Sequence, residues 1–268
     1  MIRRIRDLVL YRELIKNLVI RNLKVRYKNS VLGILWSLLN PLLMTLVFTA
    51  VFTVMLKSPI DRFPVFFMCG FLPWTFFSSS LTAATGSIVA NSGLIKKVYF
   101  PREILPIVEV LSNLVNFLLA LVVLFAMLAI FRFSFKPAML MLPLIILIQL
   151  VFTVGMGFLL ATANVFYRDT QHILEVVLQA WFFFTPIFYA IDLLPERAMF
   201  LGMPIDLRLW TRRINPMASL VASYQDVLYW GHATGLDFML RTLLTCLVVL
   251  VIGYAVFYHF SPVFGEEV

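Results

Sequence analysis

Charge is scarce in this chain of 268 residues. Asp, Glu, Lys and Arg together make up 13% of it, against about 25% in an ordinary soluble domain. Hydrophobic residues make up 62%. That balance excludes intrinsic disorder and argues against a water-soluble globule. Cysteine is nearly absent. Cys69 and Cys246 fall in or beside apolar stretches, so they read as small buried hydrophobes and not as a disulfide framework. No GxxxxGK[ST] phosphate loop occurs, which argues against an ATPase acting alone. No HExxH occurs, and His172, His232 and His259 are too scattered for a zinc site. The acidic residues lie mostly in different loops, so transport or scaffolding is a better reading than catalysis.

What is present is long apolar sequence. A helix needs roughly 20 apolar residues to cross the hydrocarbon core. Six stretches meet that need, at about 33–56, 63–85, 107–130, 138–163, 173–191 and 238–260. The expected fold is an all-α integral membrane protein with six transmembrane helices. Pro41, Pro73 and Pro186 lie inside three of these stretches and mark candidate kinks or breaks. Gly155 and Gly157 in the fourth allow another backbone close by.

A basic, amphipathic arm precedes the first stretch. Ile5, Leu8, Val9, Ile15, Leu18 and Val19 recur at helical spacing over 2–28, with Arg4, Arg12, Lys16 and Arg21 largely elsewhere. This is the pattern of a helix lying in the headgroup plane. A cleavable signal has a short basic region and a 7–15-residue apolar core, so this N-terminus is expected to be retained. The chain divides into an arm over 1–30 and a six-span body over 31–268.

Net charge is +8, and much of it lies in the arm, which points to a membrane face and not to nucleic acid. Six spans place both termini on one side, together with Lys96, Lys97 and Arg102 of the 86–105 loop and with Arg168. Positive-inside bias makes that side the cytoplasm. The 192–237 segment then faces outward. It is too polar for a seventh span and too apolar for a free loop, so short re-entrant helices fit it. Its arginines, Arg197, Arg208, Arg212 and Arg213, count against the orientation, although Asp192, Glu196, Asp206 and Asp226 accompany them.

Four sets of residues are candidates for function. A short helix in the 86–105 loop can transmit a push from a soluble partner, or it is a solvated turn. Arg168 and Asp169 form a local cap or a partner contact. Glu109, Asn113 and Asn116 share a helical stripe, and asparagines in lipid need partners, so the stripe faces protein or a pore. Among 26 Phe, 9 Tyr and 5 Trp, those at 181–189 and in the external segment form either an interfacial belt or a surface for sliding sugars.

Together these residues resemble the membrane subunit of ABC exporters that carry polysaccharide across the bacterial inner membrane, the permeases for O-antigen, capsule and teichoic acid. The resemblance rests on YKNSVLGILWSLLNPLLM at 27–44, KKVYFPREILPI at 96–107, ANVFYRDTQHI at 163–173, FFFTPIFY at 182–189 and RRINPM at 212–217. It covers essentially the whole length. It implies a homodimer docked to two copies of a separate ATP-binding subunit, which binds ATP and Mg while this chain binds no cofactor. It implies a coupling helix at about 87–97, with Ile88, Val89, Asn91, Leu94, Ile95 and Lys96, and a second contact at Arg168 and Asp169. It implies a re-entrant pair within 192–237. The implied cargo is a polymer on a polyprenyl diphosphate, whose headgroup Arg21, Lys24, Arg26 and Lys28 would attract. The path would be lined by Trp181, Phe184, Tyr189, Trp210, Tyr224, Tyr229, Trp230, Asn113 and Asn116. A small-molecule, lipid or drug exporter of the same architecture is the alternative.

Overall fold

A computed structural model describes residues 10–268 apart from 29, 99, 192–193, 196–197 and 201–202. The first part of the predicted arm, with Arg4, Ile5, Leu8 and Val9, lies outside the described residues, as do Asp192, Glu196 and Arg197. The arm appears as α1 (Arg12–Tyr27). It is followed by α2 (Trp36–Thr49), which continues as one π turn over Ala50–Met55. Then come α3 (Phe63–Ala90), α4 (Ser92–Ile95), α5 (Ile104–Ile130), α6 (Leu142–Phe166) and α7 (Thr170–Phe184). A small antiparallel ribbon, β1 (Ala198–Phe200) and β2 (Met203–Ile205), pairs Ala198 with Ile205. The chain closes with α8 (Leu207–Ile214), α9 (Pro216–Gln225), α10 (Leu236–Phe260) and α11 (Phe264–Glu267).

Among the described residues, five helical stretches are long and apolar enough to cross a membrane: Trp36–Met55, Phe63–Ala90, Ile104–Ile130, Pro137–Phe166 and Leu236–Glu267. The predicted fifth span is the exception to the expected six. Its helix, α7, has 15 residues and reaches about 22 Å, short of a core about 30 Å thick. It ends before Pro186, which was expected inside it. The residue before a proline is pushed out of the helical region, and Thr185 is extended at φ −104°, ψ 132°.

Pro73 behaves differently. It was a candidate break, yet α3 runs through it unbroken. Neighbouring helices in a membrane bundle can support a helix that carries a proline, and here the Gln149 amide of α6 donates to the Pro73 carbonyl at 2.7 Å.

α3 is the axis of the fold, touching α2, α5, α6, α7 and α9. Phe66, Phe67, Met68, Phe77 and Leu81 along it are completely buried. α6 and α10 form the other close seam. A methyl group on Gly253 would fall on the Gly155 carbonyl oxygen, and one on Gly155 would meet the Leu250 Cα at 2.6 Å. Only glycine permits that approach. The 192–237 segment, among its described residues, holds the ribbon, α8 and α9. α9 is enclosed by protein along almost its whole length.

Candidate functional site

The fold gathers three of the predicted sets at one face. The end of α3, α4, the starts of α5 and α7 and the end of α10 all lie there. The Arg102 guanidinium donates to the Ser261 carbonyl, and the Arg168 Nη2 donates to the Glu267 carbonyl at 3.1 Å. A groove of about 780 Å³ opens between these parts, lined by Leu10, Tyr11, Lys96, Lys97, Arg102 and Pro262 among others.

The predicted coupling helix is divided. Ile88 and Val89 belong to the last turn of α3, Asn91 caps it, and Leu94 and Ile95 sit on the single turn of α4. Ile88 and Ile95 are buried in a cluster with Leu18, Phe100, Phe158 and Phe257. Lys96, Arg168 and Asp169 are exposed. The part of this loop open to a partner is therefore its polar end.

The arm runs alongside α5, and polar side chains join the two. The Asn22 amide donates to Glu109 Oε1 at 2.8 Å, the Arg26 guanidinium to Asn113 Oδ1 at 2.9 Å, and the Tyr27 hydroxyl to Asn116 Oδ1 at 2.8 Å. The Asn stripe thus faces protein here and supplies the partners of the arm. Its amides would be costly in lipid without them. Arg21 reaches Asn22 and Asn91 at 3.4 and 3.5 Å, while Lys24 and Lys28 are exposed. Beside this seam lies a cavity of about 350 Å³, with Arg26, Asn40, Asn113 and Asn116 on its walls beside Trp36 and Phe76. α2 forms one of its walls through Trp36, Ser37, Asn40 and Pro41.

The aromatic candidates separate into three environments. Trp181 points inward, edge-on to Phe77 at 5.3 Å, and its indole N–H donates to Asn215 Oδ1 at 2.8 Å. Tyr224 is wholly enclosed, and its hydroxyl donates to Gln149 Oε1 at 2.7 Å. Phe184, Trp210 and Trp230 are exposed. Tyr189 is half-buried, with its hydroxyl donating to the Phe183 carbonyl. Tyr229 fastens the opposite face: its hydroxyl donates to the Asp61 carbonyl, while Lys136 Nζ donates to the Trp230 carbonyl at 3.4 Å. Burial and the nearby Asp61 carboxylate hold the Tyr229 phenol above its ordinary range, so it remains a donor.

Sequence reasoning missed Asn215. Its amide oxygen accepts from Trp181 Nε1 and from the Ala218 N–H at 3.1 Å. Its amide nitrogen donates to the Phe184 carbonyl at 3.3 Å and to Thr185 Oγ1 at 3.1 Å. One side chain thus closes the end of α7 and the start of α9. The signal was there in Asn215-Pro216, a helix-start dipeptide.

No group of three or more His, Cys, Asp or Glu converges among the described residues. A family model described as "ABC-2 type transporter" matches residues 13–229. The chain belongs to the ABC-2 type transporter family. This permease is 35% identical over 268 residues to the O-antigen export system permease protein RfbA of Myxococcus xanthus, covering all of both chains. It is 31% identical over 249 residues to the protein of that name from Klebsiella pneumoniae, covering 92% of this chain and 91% of the other. The polysialic acid transport protein KpsM of Escherichia coli is 23% identical over 251 residues. The permease is thus related to polysaccharide exporters along its whole length, and it is a membrane permease, not an enzyme.

Proposed function

We propose that the chain is the membrane subunit of an inner-membrane ABC exporter for a polysaccharide assembled on a polyprenyl diphosphate. Two copies pair, and each docks a separate ATPase that binds ATP and Mg. The full-length similarity to O-antigen export permeases carries this reading. α7 with residues 185–191 serves as the fifth crossing, so both termini face the cytoplasm. The groove beside Lys96 and Arg102 receives the ATPase, with Arg168 and Asp169 as the second contact.

The arm stands where the lipid diphosphate enters, with Arg21, Lys24, Arg26 and Lys28 supplying positive charge. Asn113 and Asn116 hold the arm in the resting arrangement and meet cargo once the arm shifts. Aromatic rings such as Phe184 and Tyr189 hold sugars weakly, as a processive conduit requires. α8 and α9 close the outer end.

Deleting the gene tests the reading. Lipid-linked polymer is expected to accumulate on the cytoplasmic side; undiminished export would overturn it. The docking assignment has its own test. Replacing 88–95 wholesale would disturb the buried Ile88 and Ile95, so Lys96→Glu with Lys97→Glu is the cleaner change. It is expected to lower co-purification of the ATPase without loss of membrane insertion.

A further inference from the structure

The arginines of the outer segment have no part in the scheme above. Arg212 lies on α8 and Arg241 on the second turn of α10, yet both guanidiniums approach one ring, that of Phe238, at 5.8 and 5.2 Å from its centroid. Two cations gathered at one ring raise the local positive potential, which a bound anion would offset. Among the described residues, no ion pair joins either arginine to a carboxylate, although Asp237 stands beside Phe238. The Arg212 Nε is buried with no hydrogen-bond partner among those residues. A buried guanidinium N–H without a partner is costly, which marks a donor awaiting an acceptor.

The surroundings hold this donor in place. The Ser219 hydroxyl donates to the Arg212 carbonyl at 2.6 Å, and the hydrogen-bonded Asn215 follows three residues on. Arg208 stands one turn earlier on the same stripe of α8. Phe238 is the third residue of α10, so the cluster sits at the mouth of a membrane helix, at headgroup level. α8 also leaves Trp210 and Ile214 49% and 66% exposed. An exposed tryptophan and isoleucine beside arginines make an interfacial surface, with apolar side chains toward the acyl boundary and guanidiniums among the headgroups.

We infer that Arg212 and Arg241 form a binding site for an anionic lipid phosphate in the leaflet opposite the arm. Guanidinium suits this chemistry because its planar fork meets two phosphate oxygens at once. Two sources carry such a phosphate: a bulk anionic phospholipid, or the polyprenyl diphosphate carrier once it has crossed. The second rests on the export reading above, and the first does not.

Native mass spectrometry of the full-length protein tests the site. The probes are phosphatidylglycerol, polyprenyl diphosphate and zwitterionic phosphatidylcholine. The wild type is expected to retain one of the anionic lipids over phosphatidylcholine. Arg212→Gln with Arg241→Gln weakens that retention by roughly tenfold or more, as loss of a charge-assisted contact implies. Arg12→Gln with Lys16→Gln removes the same charge from the other face, at exposed positions, and leaves retention unchanged. Preference for phosphatidylglycerol alone supports a bulk-lipid site. Stronger retention of the polyprenyl diphosphate supports an exit stop for the carrier. A wild type that does not discriminate against phosphatidylcholine overturns the site whether or not the variant folds. Equal losses in the two double variants overturn it as well.

Discussion

The first two membrane helices make opposite use of the bilayer. The stretch Trp36–Met55 is the more apolar, yet only 11% of its apolar window is buried in the chain, whereas 72% of the corresponding part of Phe63–Ala90 is. In water that order would be reversed. In lipid, acyl chains solvate leucine as well as a protein core does, so apolarity draws no helix inward. α3 is drawn in by shape and polarity. It offers Gly70, whose Cα leaves room for the Ile187 backbone, and flat rings, with Phe67 stacked on Phe48 at 4.5 Å and Phe71 at 4.9 Å. It also meets the polar relay in which Tyr224 donates to Gln149 and Gln149 to Pro73. α2 offers leucine and valine to lipid, or to a second copy.

The strongest way to break this contrast is Phe67→Ala on α3. It empties a site with no exposure and is expected to cost about 3 kcal/mol through the cavity it leaves, read as a fall in thermal stability of the detergent-solubilised protein. A loss below about 1 kcal/mol would show that lipid or detergent refills the site. Gln149→Leu comes next, at about 1–3 kcal/mol, because it strands the enclosed Tyr224 hydroxyl. Adding Tyr224→Phe should recover part of that loss, and an additive double variant would refute the relay. Arg26→Ala removes one contact of the arm, whose cation is exposed, and is expected to cost about 1 kcal/mol or less. Its readout is faster proteolysis of residues 10–28, with the rest of the chain unaffected. The smallest effect belongs to Leu46→Ala on the outer face of α2, within about 0.5 kcal/mol. A loss matching that of Phe67→Ala would mean that another chain covers this face in the solubilised complex.

The same physics governs what was legible in the sequence. α2, α3, α5, α6 and α10 were readable because spanning length and hydropathy are local properties, and their ends fall close to the expected ones. Gly155 was readable because a glycine within an apolar run implies a close neighbour. Pro73 and Pro186 look alike in sequence but differ in outcome. Pro73 sits where helices on several sides pack against an unbroken α3; Pro186 follows a helix end that Asn215 caps from elsewhere in the chain. The pairing of Glu109, Asn113 and Asn116 with the arm was only half readable. Their spacing required a partner but did not say which, since nothing local joins position 26 to position 113. The convergence of Arg212 and Arg241 on Phe238 was likewise hidden, because the arginines come from separate helices.

Asn215 has a mechanical consequence. Its four hydrogen bonds tie Trp181, Phe184 and Thr185 to the first turn of α9. Slack between α7 and α9 would require breaking them, at about 1 kcal/mol net for each. The two therefore share a degree of freedom, as a crank and its arm do. A displacement applied to α7 is expected to carry α9 with it for as long as these bonds hold.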